Sequence, residues 1–232
     1  MSESSPWPVS VIIPVYNGER YLREAITSVL GQTCPPAEVL AVLDPRTTDG
    51  SASVMGEFSP RVRCLTQRGS GLGAARNQGI RAARYGWLAF LDADDRWTHR
   101  KLELQTAAMR QEPSLELIFG QVRQFISPEL SPDEVPAPAA TGGRLPGICA
   151  GTMLIRRAVF EAEGYFNDTW RMGEFMEWYA RVRDAGRRQA VLPDVVLERR
   201  IHRHNMGIRE RDHQREYLQA LKSILDRRRK SE

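Results

Sequence analysis

The feature that most constrains this chain is a series of short apolar runs spaced by helical patterns. Val9-Ser-Val-Ile-Ile13, ended by Pro14, Val39-Leu-Ala-Val-Leu43 and Trp87-Leu-Ala-Phe-Leu91 carry no charge, and Val62 to Leu65 makes a shorter run between the last two. Leu22, Ile26, Val29 and Leu30 recur on one helical face, Ser51 to Phe58 suits a short helix, and Gly73 to Arg84 suits a longer one. A strand without polar alternation has to be covered on both faces, so the pattern predicts an α/β domain with a mostly parallel sheet flanked by helices. In such open sheets ligands bind beyond the carboxyl ends of the strands. The first candidates are therefore Tyr16 and Asn17, then Asp44, then the Gly69 to Gly73 loop, then Asp92, Asp94 and Asp95.

Beyond the fourth run the pattern continues with a helix from Arg100 to Arg110 and a strand from Leu115 to Phe119. Between Ser127 and Gly143 the chain holds four of its 14 prolines, with glycines and small residues, and reads as a mobile loop, either a lid or an inert insertion. Structure resumes with Thr152 to Arg156, followed by a helix starting near Arg157, an amphipathic helix over Gly173 to Ala185 and a strand over Gln189 to Leu192. Tyr217, Leu218, Leu221, Ile224 and Leu225 share one face of a terminal helix. The expected organisation is a single domain with a helical carboxy-terminal tail.

Composition narrows the function. The 232 residues are 41% hydrophobic, enough for one large core, and 27% charged, with no run near the roughly 20 apolar residues that span a bilayer. Neither a membrane-spanning helix nor a secretory signal is expected, so the expected compartment is the cytoplasm. Cys34, Cys64 and Cys149 are odd in number and far apart, and read as reduced thiols rather than a disulfide or zinc framework. From Arg199 to Glu232 there are 11 Lys+Arg against 5 Asp+Glu, leaving 22 against 24 elsewhere. The globular part is thus not a nucleic-acid platform. Residues 206–232 read as a basic helix, either solvated or in contact with an anionic membrane surface or acidic partner.

Asp92-Ala-Asp94-Asp95 carries the strongest chemical signal. In an extended segment positions i and i+2 point the same way, so Asp92 and Asp94 would face one ligand and Asp95 the other side. Two carboxylates that close repel unless neutralised, and Mg²⁺ or Mn²⁺ shared with phosphate oxygens of a substrate meets that need. The competing reading is an acidic turn capping the helix near Arg100. Gly69-Ser-Gly71-Leu-Gly73-Ala74 has the letters of a dinucleotide fingerprint, but that fingerprint belongs after the first strand of its unit, which makes an oxidoreductase the weaker reading. Arg76 would reach a phosphate or hold Asp92.

Four segments stand together: Val9-Ser-Val-Ile-Ile-Pro-Val-Tyr-Asn-Gly-Glu-Arg-Tyr-Leu22, Ser28-Val-Leu-Gly-Gln-Thr33, Ala75-Arg-Asn-Gln-Gly79 and Ala89-Phe-Leu-Asp-Ala-Asp-Asp95. In order and spacing they resemble the family 2 glycosyltransferases of GT-A (Rossmann-like) fold, over the first 105 residues. The resemblance implies a nucleotide-diphospho-sugar donor, Mn²⁺ or Mg²⁺, and transfer with inversion. It places the donor in residues 1–105 and acceptor binding and catalysis in 106–205. Pro14, Tyr16 and Glu19 would line the nucleoside pocket, with the Tyr16 ring against the base and Asp44 accepting a hydrogen bond from it. Arg76 would approach the nucleotide, Asp92 the ribose or metal, and Asp94 the metal, with His202 as a further ligand ahead of His204. The Pro146 to Arg156 stretch would admit the acceptor, whether glycan, lipid-linked saccharide, small molecule or peptide.

The sequence departs from the family pattern twice. The usual second acid and Gly-Ser-Thr turn around Asp44 are replaced by Leu43 and Pro45-Arg46-Thr47, which leaves the base open, with UDP favoured over GDP or dTDP. An inverting transfer also needs a carboxylate to take the acceptor proton. Where relatives carry Glu-Asp, this chain reads Gly173-Glu-Phe-Met-Glu177, so Glu174 is the first candidate, Glu177 the second, and Phe175 replaces the usual Asp. Glu174 and Glu177 share a helical face, and Glu174 gains from the helix N-terminus. Two alternatives remain: a sugar nucleotidyltransferase, for which only Arg20 is available in the first loop, and a nucleotide-binding protein whose catalytic site is degenerate.

Overall fold

The computed structural model describes residues 7–131, 133, 144–145, 147–170, 172–203, 205 and 222. In chain order they form β1 (Val9–Val15), α1 (Glu19–Leu30), β2 (Glu38–Leu43), α2 (Ser51–Gly56), β3 (Arg63–Thr66), α3 (Leu72–Ala82), β4 (Trp87–Phe90) and β5 (Arg96–Trp97). There follow α4 (Lys101–Gln111), β6 (Leu117–Ile126), β7 (Arg144–Leu145), a 3₁₀ turn (Ala150–Thr152), β8 (Leu154–Arg156), α5 (Arg157–Glu163), α6 (Glu174–Asp184) and β9 (Gln189–Ile201). One sheet contains all nine strands, in the order β3-β2-β1-β4-β8-β6-β9-β5, with β7 on β6. β1 to β4 are mutually parallel, as the sequence predicts. β8 then runs antiparallel to both β4 and β6, so the second half is mixed.

Alternation along β1 divides the core. Val9, Val11, Ile13 and Val15 pack with Leu22 and Ile26 of α1, Val54 of α2 and Leu102 of α4. Ile12 faces the other side, with Ile80 of α3, Phe160 of α5 and Trp178 of α6. There the Phe160 and Trp178 rings stack at 4.5 Å and 18°, and Phe90 and Phe166 meet Phe160 edge-on. Such pairs each add about 0.5–1.5 kcal/mol beyond area burial.

Several elements differ from the sequence reading, among them β6, which runs on to Ile126 where a strand ending at Phe119 is expected. β1 runs through Pro14 because β4 pairs only as far as Ile12, so the missing N–H faces no strand. β9 runs to Ile201 instead of stopping at Leu192. Between the pairs Phe119↔Val191 and Gln121↔Val195 the register shifts, and the bulge absorbs Pro193 and Asp194. The two-residue β5, too short for a periodicity, pairs with β9 through Arg96↔Glu198 and Trp97↔Leu197. The Gly69 to Gly73 loop has a structural explanation: Gly71 sits at φ +87°, and a Cβ on Gly73 would lie 2.5 Å from the Asn167 carbonyl oxygen. Among the described residues no helix is long and apolar enough to cross a membrane. The expected basic helix at 206–232 lies outside the described residues apart from Lys222, as do His204 and most of the 127–143 loop.

Candidate functional site

The parallel strands deliver their loops to one edge. Just past β4 the chain turns, with the Asp95 N–H donating to the Asp92 carbonyl at 3.2 Å, so the acidic cluster is a turn rather than the extended segment assumed from sequence. Asp92 and Asp94 nonetheless stay partly exposed while Asp95 is buried, as expected. Asp95 Oδ1 accepts the Arg200 N–H at 2.8 Å. Burial first, then the nearby Asp94 and Asp92 charges, push its carboxyl well above the usual range.

Asp94 and His202 come together from positions 108 residues apart. His202 Nε2 lies 3.0 Å from Asp94 Oδ2, Asn205 Nδ2 donates to the same oxygen at 3.4 Å, and Asn205 Oδ1 accepts the His202 N–H at 2.6 Å. The imidazole packs 4.8 Å from the Tyr21 ring and is buried. His202 therefore follows the end of a long internal strand and does not belong to a solvated tail. The extension of β9 beyond its bulge puts it there.

Asp92 is linked to the start of α6 by Arg76. Arg76 Nη2 donates to Asp92 Oδ1 at 2.7 Å and Nη1 to Glu174 Oε1 at 2.6 Å. Arg76 and Glu174 are buried, and Arg76 Nε has no partner. Burial opposes the guanidinium charge, and the two carboxylates outweigh that penalty and hold its pKa above the ordinary value. Glu177 accepts from Arg181 Nε at 3.2 Å, one turn along the same helix. Phe175 is half-buried and packs against the core, stacked on Tyr179 at 5.9 Å and edge-on to Phe119 at 6.4 Å.

Pro14 is buried in β1 and Tyr16, next to it at the strand end, is 58% exposed. Glu19 accepts the Gly50 N–H at 2.9 Å and so fastens the turn after Asp44 to α1. Asp44 is itself engaged: Arg46 donates to it through Nε at 2.9 Å, Nη2 at 2.6 Å and its backbone N–H at 2.9 Å. That clamp holds the Asp44 carboxyl below the usual range. The Arg46 guanidinium carbon also lies 5.6 Å from the Tyr16 ring centroid. Lys101 Nζ donates to Thr152 O at 3.1 Å and Trp97 Nε1 to Gly151 O at 2.9 Å, which pins Gly151 and Thr152 within the stretch that the family resemblance assigns to the acceptor.

Tyr21, Asn205 and Arg46 were missed by sequence reasoning as site residues. The first two support His202 and Asp94, and nothing local in the sequence marks them. Arg46 was visible only as a break in a family turn. For a cation, the described residues contain no group of three His, Cys, Asp or Glu side chains placed to share one. Asp94 and His202 offer one carboxylate and one imidazole, which fits a Mg²⁺ or Mn²⁺ that completes its shell with substrate oxygens and water.

Residues 10–164 match the family described as Glycosyl transferase family 2. Among similar proteins, the Escherichia coli UDP-Glc:alpha-D-GlcNAc-diphosphoundecaprenol beta-1,3-glucosyltransferase WfgD is 34% identical over 132 residues, 52% of this chain and 51% of that protein. Streptococcus pneumoniae glycosyltransferase GlyA is 39% identical over 90 residues, 38% of this chain and 13% of that protein. The chain thus spans about half or less of the length of these relatives. Staphylococcus aureus TarS residues 1–349 with UDP superimposes with a TM-score of 0.67 at 18% identity, over 94% of this chain and 64% of that one. The same TarS fragment with UDP-GlcNAc gives a TM-score of 0.66 at 19% identity, over 85% and 60%. The fold is therefore the one seen in TarS, and by the residues matched the chain belongs to glycosyl transferase family 2.

Proposed function

We propose that the chain transfers a sugar from a nucleoside-diphosphate donor, with uridine the favoured base, to an acceptor hydroxyl with inversion, aided by Mn²⁺ or Mg²⁺. One observation carries this reading: Asp94 and His202 meet at 3.0 Å on the edge where Asp92, Arg76 and Glu174 form a continuous network. WfgD, whose name gives UDP-Glc as donor, and TarS, solved with UDP and with UDP-GlcNAc, support the choice of uridine.

Asp94 and His202 would hold the cation, which when bound offsets the charge of the leaving diphosphate. Tyr16 offers an exposed ring on which a base stacks. Arg76 fixes Asp92 on the donor side and Glu174 on the acceptor side with one rigid fork. Glu174 is the proposed proton acceptor: Arg76 takes one lone pair of Oε1, and a carboxylate has about four. Glu177, tied to Arg181, is the second choice. The nucleotidyltransferase alternative is weakened because Arg20, expected in the first loop, lies in the first turn of α1 and pairs with Glu129 at 3.2 Å. Packing of Phe175 against the core favours the degenerate-site alternative as the second reading.

Transfer of labelled glucose from UDP-glucose to GlcNAc-diphosphoundecaprenol, the acceptor in the WfgD name, and to free GlcNAc tests this with Mn²⁺ present. Glu174→Gln is expected to lower transfer on the order of a hundredfold, as loss of a general base does, with Glu177→Gln within about threefold. Equal rates in wild type and Glu174→Gln would refute the base assignment. Nucleotide binding without transfer to any acceptor would favour the degenerate site.

A further inference from the structure

The family resemblance gives Asp44 the task of accepting a hydrogen bond from the base, but the geometry around it points elsewhere. The Asp44 side chain is 5% exposed and three donors of Arg46 converge on it, whereas the Arg46 side chain is 54% exposed. A guanidinium is planar with donors on every edge, so binding through Nε and Nη2 leaves Nη1 at the corner away from the carboxylate. The same group lies over the Tyr16 ring, its carbon 5.6 Å from the ring centroid. The surface that a base stacked on Tyr16 meets is therefore a hydrogen-bond donor, with the acceptor hidden behind it.

We infer that Arg46 is the base-reading residue of this chain and that Asp44 positions it. This rests on the nucleoside-diphosphate reading above and assigns the base-recognising group within that pocket. A donor at this place selects a base with a carbonyl on the facing edge. Uracil presents such a carbonyl at position 4, where cytosine presents an amino group, itself a donor. We assign Arg46 to the position-4 edge, where it pairs with uracil and is mismatched against the cytosine amino group. The position-2 carbonyl, which both bases carry, would give no preference for UDP over CDP, and the clamp on Asp44 holds the fork in place.

Calorimetric titration of the full chain with UDP and with CDP, both with Mn²⁺, separates the two roles. Arg46→Ala is expected to weaken UDP binding about tenfold or more, the scale of a lost charged hydrogen bond, and to reduce the preference for UDP over CDP. Asp44→Asn is expected to weaken UDP in the same direction but less, because Arg46 remains and only its support is altered. Arg46→Lys, which keeps the charge without the fork, is expected to fall between wild type and Arg46→Ala. If Arg46 merely covers an acceptor that reads the base directly, Arg46→Ala uncovers Asp44 and UDP binds as well as or better than to wild type, which overturns the inference. Unliganded thermal midpoints of the variants identify any loss that is only unfolding, and Arg46→Lys carries the test if Arg46→Ala unfolds. Wild type that binds neither nucleotide would overturn the nucleotide reading itself, a result distinct from wild-type binding that Arg46→Ala leaves intact.

Discussion

The β1 to β4 part of the sheet and the part built from β6, β8, β9 and α6 position polar groups by opposite means. In the first, parallel strands end at one edge, so a residue or two after a strand is enough to bring Tyr16, Asp44 and Asp92 to that edge of the sheet. In the second, strands run both ways, and the groups that reach the site arrive by a bulged strand, His202, or by a helix start, Glu174. Regular parallel geometry thus makes a site out of local sequence, whereas mixed geometry makes it out of long-range contacts. The two parts meet at a buried cation, Arg76, held by Asp92 and Glu174, and a second buried cation, Lys101 of α4, forms a seam between that helix and the second part, held by Gln105 and the Thr152 carbonyl.

The largest effect should come from breaking the first of these seams. Arg76→Met leaves Glu174 buried without its counter-charge, and losing one partner of a buried pair costs about 3–5 kcal/mol. Urea denaturation should show this loss, and Arg76→Met with Glu174→Leu should recover part of it because no charge is then stranded. A single variant within about 1 kcal/mol of wild type would mean that water, and not Arg76, solvates Glu174.

A smaller effect should mark the second seam. Burial lowers the Lys101 ammonium to about 7, against roughly 10.4 in an unfolded chain. Between these values the unfolded state binds the extra proton, so this lysine makes stability rise with pH from about 7 to 10 and leaves it flat below 7. In Lys101→Met that rise disappears. Urea midpoints at about pH 7 and pH 9.5 should therefore diverge in favour of wild type at the higher value. Parallel profiles would show that the carbonyls and the Trp97 face, 4.5 Å from Nζ, compensate the buried charge fully.

The same contrast explains what could be read from the sequence. The apolar runs and the polar residues after them disclosed β1 to β4 and most of their edge, because each needs only neighbours in the chain. Asp95 was expected to face away from Asp92 and Asp94 and does, although the backbone there is a turn and not a strand. The second part was less legible. Pro193-Asp194 looks like the end of a strand, and only pairing with β6 carries β9 past it to His202. The Arg76 to Glu174 contact joins residues 98 apart, and no periodicity reports such a pair. Arg46 lies two residues from Asp44, yet its clamp depends on side-chain geometry that spacing alone does not specify.

The most direct test of the central claim, that Asp94 and His202 complete a metal-assisted nucleotide pocket on this edge, is calorimetric titration of UDP with and without Mn²⁺ into wild type and Asp94→Asn. Wild type is expected to bind UDP far more tightly with Mn²⁺, and Asp94→Asn to lose that dependence while keeping its fold. Equal UDP affinity with and without Mn²⁺ in wild type, or full metal dependence in Asp94→Asn, would contradict it.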